Sequence, residues 1–263
     1  MGEILFDFTH LDSTIATAYL EFVAGMIESK VNSAPDFSSE IFHWEREYHA
    51  CKYRGKPLFG QIKPKECKES LRFSIEHLQI KICDKLKVIE VGCGPTSQFY
   101  AEELVSKPLE IVTVDPLAKV YSRLHKQYKT GYDIVCFEGY GETLERLFQK
   151  ETFHLVYSQN AIDHSVNPQL FVENMYKILK VGGYLVLHGF INEGTKAMWL
   201  GLHQWNIQPK NNELLLRNRS GTINEKKLTS NLRLLLISEK VYGETYTFIY
   251  EKLPNDHKNT INK

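Results

Sequence analysis

The sequence feature that most constrains the fold is the run from Lys87 to Ser97, where an apolar, β-branched segment ends at two closely spaced glycines. Such a segment is typical of a strand that is buried on both faces, as in a parallel sheet. Gly92 and Gly94 permit a tight turn and a close approach of the backbone to a ligand. Pro95 and the hydroxyl residues after it are typical of a helix N-terminus, whose free N–H groups attract anions. The run therefore predicts a strand–turn–helix unit of the nucleotide-binding kind.

Composition and charge point to an ordinary soluble chain. Of the 263 residues, 43% are hydrophobic and 24% are charged, which is enough for one sizeable core. Thirty-two basic residues balance thirty-two acidic residues, so no charge excess indicates a nucleic-acid or membrane partner. No apolar run approaches the roughly 20 residues of a membrane span. Glu3 and Asp7 stand where a secretory signal would be basic, so we expect a cytoplasmic protein.

The cysteines give no sign of cross-links or of a metal centre. They number five, which is odd, and no two of them form a C-x-x-C pair. We therefore expect reduced thiols, no disulfide framework and no bound metal.

From Leu86 onward, strand-like runs alternate with helical patterns. Strands are predicted near 86–91, 109–115, 133–138, 153–158 and 183–190, and helices near 97–106, 117–129, 142–149 and 167–180. After these come two short helices at 194–202 and 223–228, and two strands at 232–239 and 244–251. Alternation of this kind predicts an α/β fold with a parallel sheet, whose ligand lies beyond the carboxyl ends of the strands.

A carboxylate stands at the end of the second predicted strand. Asp115 follows Gly94 by 21 residues, a separation at which an acid can accept hydrogen bonds from both ribose hydroxyls of a nucleotide. A simple helix cap is the alternative role. The position three beyond Gly94 is Ser97, where the dinucleotide fingerprint requires Gly or Ala. This departure counts against a nicotinamide-dependent oxidoreductase.

As a set, these residues resemble class I S-adenosylmethionine-dependent methyltransferases. The resemblance rests on Glu90–Gly94, Asp115, the strand Phe153–Asn160 and the segment Leu179–Val186, and it covers roughly residues 65–190. It implies a doubly wound, mostly parallel seven-stranded sheet of the Rossmann-like methyltransferase type. Residues 1–64 would form a helical, substrate-covering N-terminal cap. The methyltransferase domain would span 65–253, with an acceptor-covering excursion at about 194–230 inserted before the last two strands and a frayed tail at 254–263.

The same resemblance implies a cofactor site for S-adenosylmethionine, with S-adenosylhomocysteine as product. The glycine turn would pass under the methionine moiety, Glu90 would support the turn, and Asp115 would bind the ribose. Where many relatives have a Gly-Asp-Ala-Glu-like segment facing adenine, this chain reads Gly139-Tyr140-Gly141-Glu142, so Tyr140 could stack on the ring instead. The candidate cofactor-binding residues are Glu90, Gly92, Cys93, Gly94, Asp115, Pro116, Gly139, Tyr140, Glu142, Ser158 and Asn160.

Candidate catalytic residues follow the fourth strand. The segment from Ser158 to Pro168 contains neither the Asn-Pro-Pro-Tyr motif of base-amine methylation nor a Pro-Cys nucleophile, which favours the small-molecule branch of the family. A histidine with a pKa near 6.5 could accept the proton of an alcohol. His164 is the first candidate and His203 the second, while Asp163 could orient the histidine or the cofactor. A structural role for His164, as a helix cap or under the cofactor, is the alternative.

Candidate acceptor-binding residues lie in the cap and in the excursion. Trp44, Tyr48 and Trp205 could roof the site and steady the sulfonium charge, with core packing as the alternative. Arg217 and Arg219 alternate along a predicted strand and could clamp a phosphate or carboxylate, with solvated surface as the alternative.

The sequence thus favours O-methylation of a small polar metabolite. A sugar, a sugar nucleotide or another phosphorylated acceptor is expected, and the chain is reminiscent of enzymes of surface-polysaccharide or natural-product biosynthesis. Methylation of nitrogen or carbon on a small molecule is the alternative within the enzyme class. A non-catalytic cofactor-binding protein of the same fold is the alternative outside it.

Overall fold

The computed structural model describes residues 37–54, 69, 71–77, 85–100, 109–130 and 136–254. Most of the predicted N-terminal cap and all but the first residue of the predicted tail lie outside these ranges. Within them, no helix combines the length and the apolar character needed to cross a bilayer.

Two sheets organise these residues. The strands are β1 (Leu86–Val91), β2 (Leu109–Asp115), β3 (Cys136–Glu138), β4 (Phe153–Gln159), β5 (Leu179–Phe190), β6 (Trp205–Lys210), β7 (Glu213–Asn218), β8 (Asn224–Lys227), β9 (Leu234–Tyr242) and β10 (Thr245–Lys252). The main sheet has seven strands in the order β3-β2-β1-β4-β5-β10-β9. Its first five strands are parallel, and β10 is antiparallel to both neighbours. This confirms the predicted fold class. The chain reverses its direction of travel across the sheet between β1 and β4, which is where ligands of such folds bind.

Both faces of the main sheet are buried, as the apolar run of β1 predicts. Val88 packs into the cluster on one face, with Leu71 from a helical segment at 71–77, whereas Ile89 packs into the cluster on the other face. The helix α3 (Pro168–Ile178) covers that second face, and its buried residues recur at helical spacing. Asn167 caps α3 because its side chain accepts the Leu170 N–H, and Pro168 occupies the first turn.

The helix α1 (Ser38–Arg54) is the described part of the predicted cap. It packs on α2 (Ala118–Tyr128), where Tyr48 and Leu124 are both fully buried. The Tyr48 hydroxyl lies 3.0 Å from Nε2 of His125, and Glu45 pairs with Arg123. These contacts hold the first turns of α1 beside the carboxyl ends of β1 and β2.

The excursion between β5 and β9 forms the second sheet. After the short helix α4 (Glu193–Lys196), strands β6, β7 and β8 pair in antiparallel order. The predicted helix at 223–228 is wrong, because residues 224–227 pair with β7 as strand β8. The predicted helix at 194–202 is shorter than expected, because Met198 and Trp199 have positive φ angles that end it.

Candidate active site

A cavity of about 800 Å³ opens where the carboxyl ends of β1, β2 and β4 meet. Its size suits a small-molecule site. Most of the predicted cofactor residues line it, and so do all three predicted catalytic residues. The predicted residues on its wall are Trp44, Gly92, Asp115, Pro116, Gly139, Tyr140, Glu142, Asn160, Asp163, His164 and His203.

The glycine turn and Asp115 form one hydrogen-bonded unit. Gly92 and Gly94 have φ angles of +72° and +61°, which residues with a Cβ rarely adopt. The Gly94 N–H donates to Oδ2 of Asp115 at 2.9 Å, and the Leu117 N–H donates to Oδ1 at 2.8 Å. A Cβ on Gly92 would lie 2.2 Å from the Cβ of Ala161, in the segment that follows β4. Asp115 therefore holds the turn by a hydrogen bond to Gly94, and Ala161 leaves no space for a side chain at position 92.

Glu90 braces the residues after the turn and does not line the cavity. Its buried carboxylate accepts the Ser97 hydroxyl at 2.5 Å and the Gln98 N–H at 2.9 Å. This bond gives Ser97 a structural role at the position where the dinucleotide fingerprint has Gly or Ala. Cys93 also does not line the cavity, and its Sγ lies 3.4 Å from Sγ of Cys136. The neighbouring Cys136 thiol and burial raise the pKa of Cys93 well above its usual range, so the group stays a thiol.

The predicted adenine-facing segment lies at the mouth of the cavity. Tyr140 is partly exposed there, and its ring centroid lies 6.1 Å from that of Phe37. Oε1 of Glu142 accepts the N–H groups of Val166 and Asn167 at 2.9 and 3.3 Å, so this carboxylate anchors the loop before α3. Gly139 precedes these residues and lines the same wall.

Two polar groups at the end of β4 are buried without a hydrogen-bond partner among the described residues. They are the Ser158 hydroxyl and Oδ1 of Asn160. Asn160 adopts a positive φ of 49° and lines the cavity. A buried amide oxygen without a partner is costly, so Asn160 is suited to accept a hydrogen bond from a bound ligand.

The three predicted catalytic side chains meet on one wall. His203 Nδ1 lies 2.8 Å from Asp163 Oδ2 and 3.0 Å from His164 Nε2, and His164 Nε2 lies 3.5 Å from the same carboxylate oxygen. Burial alone would raise the pKa of Asp163, but the charge of His164 and the hydrogen bond from His203 lower it below its usual value. Burial likewise opposes the charged form of His203, but Asp163 raises the pKa of His203 overall.

The excursion brings His203 to this wall. The Gln204 N–H donates to the Asp163 carbonyl at 3.3 Å, and the Trp205 indole N–H donates to the Ser165 carbonyl at 2.9 Å. These two bonds join the start of β6 to the turn that contains Asp163 and His164.

Four predicted acceptor-binding residues do not line the cavity. Tyr48 is fully buried against α2, because its ring fills the contact between the two helices. The Trp205 indole N–H donates a hydrogen bond to the Ser165 carbonyl. Arg217 is exposed on the second sheet, and Arg219 lies beyond the end of β7, so the two do not alternate along one strand. Of the five, only Trp44 lines the cavity, and its Nε1 donates to Glu40 at 2.7 Å.

Sequence reasoning missed two carboxylates on the wall, those of Glu40 and Glu193. Glu193 lies just after the carboxyl end of β5, so the rule that ligands bind at strand ends could have found it. Glu40 lies in the first turn of α1, and no local pattern marks it as facing the cavity.

Cofactor affinity should depend on pH through Asp115. Burial raises the pKa of this carboxyl to about 6, although the N–H groups of Leu117 and Gly94 oppose the shift. If the carboxylate accepts the predicted ribose hydrogen bonds, affinity for S-adenosylhomocysteine should rise up to about tenfold per pH unit below that pKa and level off above it. Because the folded pKa is raised, the stability contribution of Asp115 without ligand is greatest at low pH and is lost as pH rises through about 6. Calorimetry between acidic and neutral pH tests the trend in affinity, and unfolding over the same range tests the trend in stability. Asp115→Asn should remove most of both pH dependences.

Comparisons with known proteins find a methyltransferase domain in this chain. Residues 89–187 match a family model described as a methyltransferase domain. The ubiquinone biosynthesis O-methyltransferase of Pelagibacter ubique is 24% identical over an alignment of 217 positions that covers 72% of this chain and 85% of that protein. The protein of the same name from Bradyrhizobium diazoefficiens is 25% identical over an alignment of 188 positions that covers 64% of this chain and 70% of that protein. Among solved structures, the N-methyltransferase NodS from Bradyrhizobium japonicum with S-adenosylhomocysteine has 14% identity and a TM-score of 0.48, covering 80% of this chain and 96% of that one.

The residues present suit the cofactor that this family uses. The glycine turn leaves open space at Gly94, Asp115 offers a carboxylate beside it, and Asn160 has a buried oxygen still able to accept a hydrogen bond. Together with the order of the seven strands, these features show that the methyltransferase domain matched at residues 89–187 belongs to an enzyme that uses S-adenosylmethionine.

Proposed function

We propose that the protein transfers a methyl group from S-adenosylmethionine to an oxygen atom of a small polar molecule. The observation that supports this proposal is the meeting of Asp163, His164 and His203 on the wall of the cavity that Gly92 and Asp115 also line. A hydroxyl group is a poor nucleophile at neutral pH, so its proton must leave as the methyl group arrives. The cluster places groups able to accept that proton beside the candidate cofactor site.

The transfer requires little else from the protein. S-adenosylmethionine supplies a methyl group on a sulfonium, so a C–O bond forms as the C–S bond breaks and a neutral thioether leaves. The hydroxyl proton passes to the cluster and then to solvent. Holding the acceptor oxygen in line with the C–S bond is worth several kcal/mol by itself. Gly92 and Asp115 would hold the cofactor on one side of the cavity, and Trp44 would close the other.

The domain organisation supports this arrangement. Residues of α1 line the cavity from one side, and the segment after β5 lines it from another. We therefore propose that residues 1–64 and the excursion at about 194–230 cover the acceptor, while the rest of 65–253 binds the cofactor.

The charges on the wall favour a neutral acceptor with hydroxyl groups over a phosphorylated one. Among the described residues, one arginine, Arg46, lies on it, whereas Arg217 and Arg219 lie elsewhere. Five acidic residues outnumber Arg46 there, namely Glu40, Asp115, Glu142, Asp163 and Glu193. Carboxylates repel phosphate groups in a sheltered site. A neutral sugar or a phenol is therefore the acceptor class that we propose. The named O-methyltransferases to which the chain is similar act in ubiquinone biosynthesis.

A labelled-methyl assay tests the proposal. Neutral polyols, sugars and phenols would be offered beside matched compounds in which an amine replaces the hydroxyl. We expect label on the hydroxyl compounds only. In His203→Ala, kcat should fall by about 100-fold or more while S-adenosylhomocysteine binding is kept, because general-base catalysis contributes this much. Label on the amines alone would contradict O-methylation. Cofactor binding without turnover of any compound would indicate a non-catalytic protein.

A further inference from the structure

We propose that Asp163, His164 and His203 form a binding site for a borderline divalent cation of the Zn²⁺ or Co²⁺ type. One ligand atom from each side chain, namely Oδ2, Nε2 and Nδ1 in that order, lies within 4.8 Å of the other two. The number and spacing of the cysteines predict no metal, and that reasoning does not address the two histidines and the aspartate. The folded chain brings His203 to a pair that lies 39 and 40 residues before it.

The distances between the ligand atoms match those around a single ion. They are 2.8 Å between His203 and Asp163, 3.0 Å between the two imidazoles, and 3.5 Å between His164 and Asp163. Ligands about 2.0–2.2 Å from a zinc-like ion, at tetrahedral or octahedral angles, stand roughly 3.0–3.5 Å apart. One ion between the three atoms could therefore reach all of them with side-chain adjustments of a few tenths of an ångström.

Hydrogen bonding alone satisfies this arrangement poorly. His203 Nδ1 faces both the Asp163 carboxylate and Nε2 of His164. A ring nitrogen carries at most one proton, so Nδ1 can donate to only one of these two atoms. If it donates its proton to Asp163, it has neither a proton to donate to His164 Nε2 nor a free lone pair to accept one, although the two nitrogens lie only 3.0 Å apart. A cation removes the conflict, because all three atoms then point a lone pair at one centre.

The backbone fixes both halves of the site. The Gln204 N–H binds the Asp163 carbonyl, and the His164 N–H binds the Ala161 carbonyl at 3.2 Å. The Ser165 hydroxyl donates to the Ile162 carbonyl at 2.6 Å, so the turn is closed on itself. Ligands held in this way lose little conformational entropy when an ion binds.

The ligand set indicates which ions would bind. Two imidazole nitrogens and one carboxylate suit zinc and its neighbours in the first transition row, whereas Mg²⁺ and Ca²⁺ prefer oxygen ligands. The three side chains are 11%, 22% and 32% exposed, so they are sheltered yet open to the cavity. Glu40 and Glu193 on the same wall add negative charge that attracts a cation.

The site leaves coordination positions open toward the cavity. If the proposed function is correct, an acceptor oxygen would occupy one of them, and the cation would lower the pKa of the hydroxyl before methyl transfer. In the metal-bound protein the hydroxyl proton would then pass directly to solvent, because the three ligand atoms that would otherwise accept it are bound to the cation. That consequence rests on the proposed function. Binding of the cation does not.

Cobalt titration of the whole protein, freed of metal by a chelator and dialysis, tests the site without cofactor or acceptor. We expect one Co²⁺ per chain, with visible ligand-field absorption. His203→Ala and Asp163→Asn should each weaken binding by about 100-fold or more, since each removes a side-chain atom that would bind the ion directly. His43→Ala is the matched control, because His43 lines the same cavity outside the cluster. Cys136→Ser is a second control. It removes one of the two neighbouring thiols, those of Cys93 and Cys136, which could themselves bind a metal ion. Both controls should bind Co²⁺ as the wild type does.

A measurement on the wild type alone guards against variants that misfold. Zn²⁺ or Co²⁺ should raise the melting temperature in a concentration-dependent way, and Mg²⁺ should not. Equal Co²⁺ affinity in wild type and His203→Ala would overturn the proposal, and so would the absence of stoichiometric binding by the wild type. If the wild type binds Co²⁺ but methylates none of the compounds offered, that result would count against the proposed function and not against the metal site.

Discussion

Asp115→Ala should abolish measurable binding of S-adenosylhomocysteine. The carboxylate does two things that alanine cannot do: it accepts the N–H groups of Gly94 and Leu117, and it offers oxygen atoms toward the cavity. Hydrogen bonds to a charged group contribute about 1.5–3 kcal/mol each, so losing the ribose bonds and loosening the turn should weaken binding by at least about 100-fold. Isothermal titration calorimetry at neutral pH measures the change.

Asp115→Asn is the matched control for this prediction. Asparagine has the same shape and keeps one carbonyl oxygen, which can accept the Leu117 N–H, but it lacks the charge. Its affinity should lie between those of wild type and Asp115→Ala. Wild-type affinity in Asp115→Ala, with the fold intact by circular dichroism, would remove Asp115 from the cofactor site.

Gly92→Ala should reduce both stability and cofactor binding. The new Cβ would lie 2.2 Å from the Cβ of Ala161, and the φ of +72° is strained for alanine. Left-handed strain costs about 1–2 kcal/mol and overpacking about 1–3 kcal/mol, so the free energy of unfolding should fall by about 2–5 kcal/mol. The turn and the segment of Asn160 and Ala161 would be pushed apart, which should also weaken S-adenosylhomocysteine binding. Denaturant unfolding and calorimetry measure the two effects.

Two further variants separate backbone strain from the clash. Gly94→Ala has a similar φ of +61°, but its Cβ would meet nothing within 4 Å, so it should cost only the strain of about 1–2 kcal/mol. The double variant Gly92→Ala/Ala161→Gly removes the clashing methyl group and should recover part of the lost stability. Equal costs at the two glycines, without recovery in the double variant, would show that the contact with Ala161 is not the cause.

Cofactor-side features were predictable because their signals are local. The alternation of Val88 and Ile89 between two faces follows from the period of a strand. Gly92 and Gly94 were predicted to form a tight turn, and their positive φ angles are those of such a turn. Asp115 was found by its separation from Gly94, since strands of similar length end at the same edge of a parallel sheet.

Acceptor-side features were predicted less well, because they depend on how distant segments pack. The strand pattern predicted that Arg217 could bind an acidic group of the acceptor. The pairing of β7 with β6 and β8 instead places Arg217 on an exposed surface. Tyr48 looked like a roof residue, yet its ring is buried between α1 and α2. Neither outcome can be read from spacing along the chain.

By itself, the sequence determined the strand–glycine turn–helix unit, the acid that binds to that turn, and the alternating elements that build the parallel sheet. Backbone preferences and the periodicity of buried residues act over a few neighbouring residues, so they can be predicted from the sequence. Only the tertiary structure decided that His203 meets Asp163 and His164. Their meeting depends on the docking of the excursion through Gln204 and Trp205, and no local backbone preference encodes such long-range contacts.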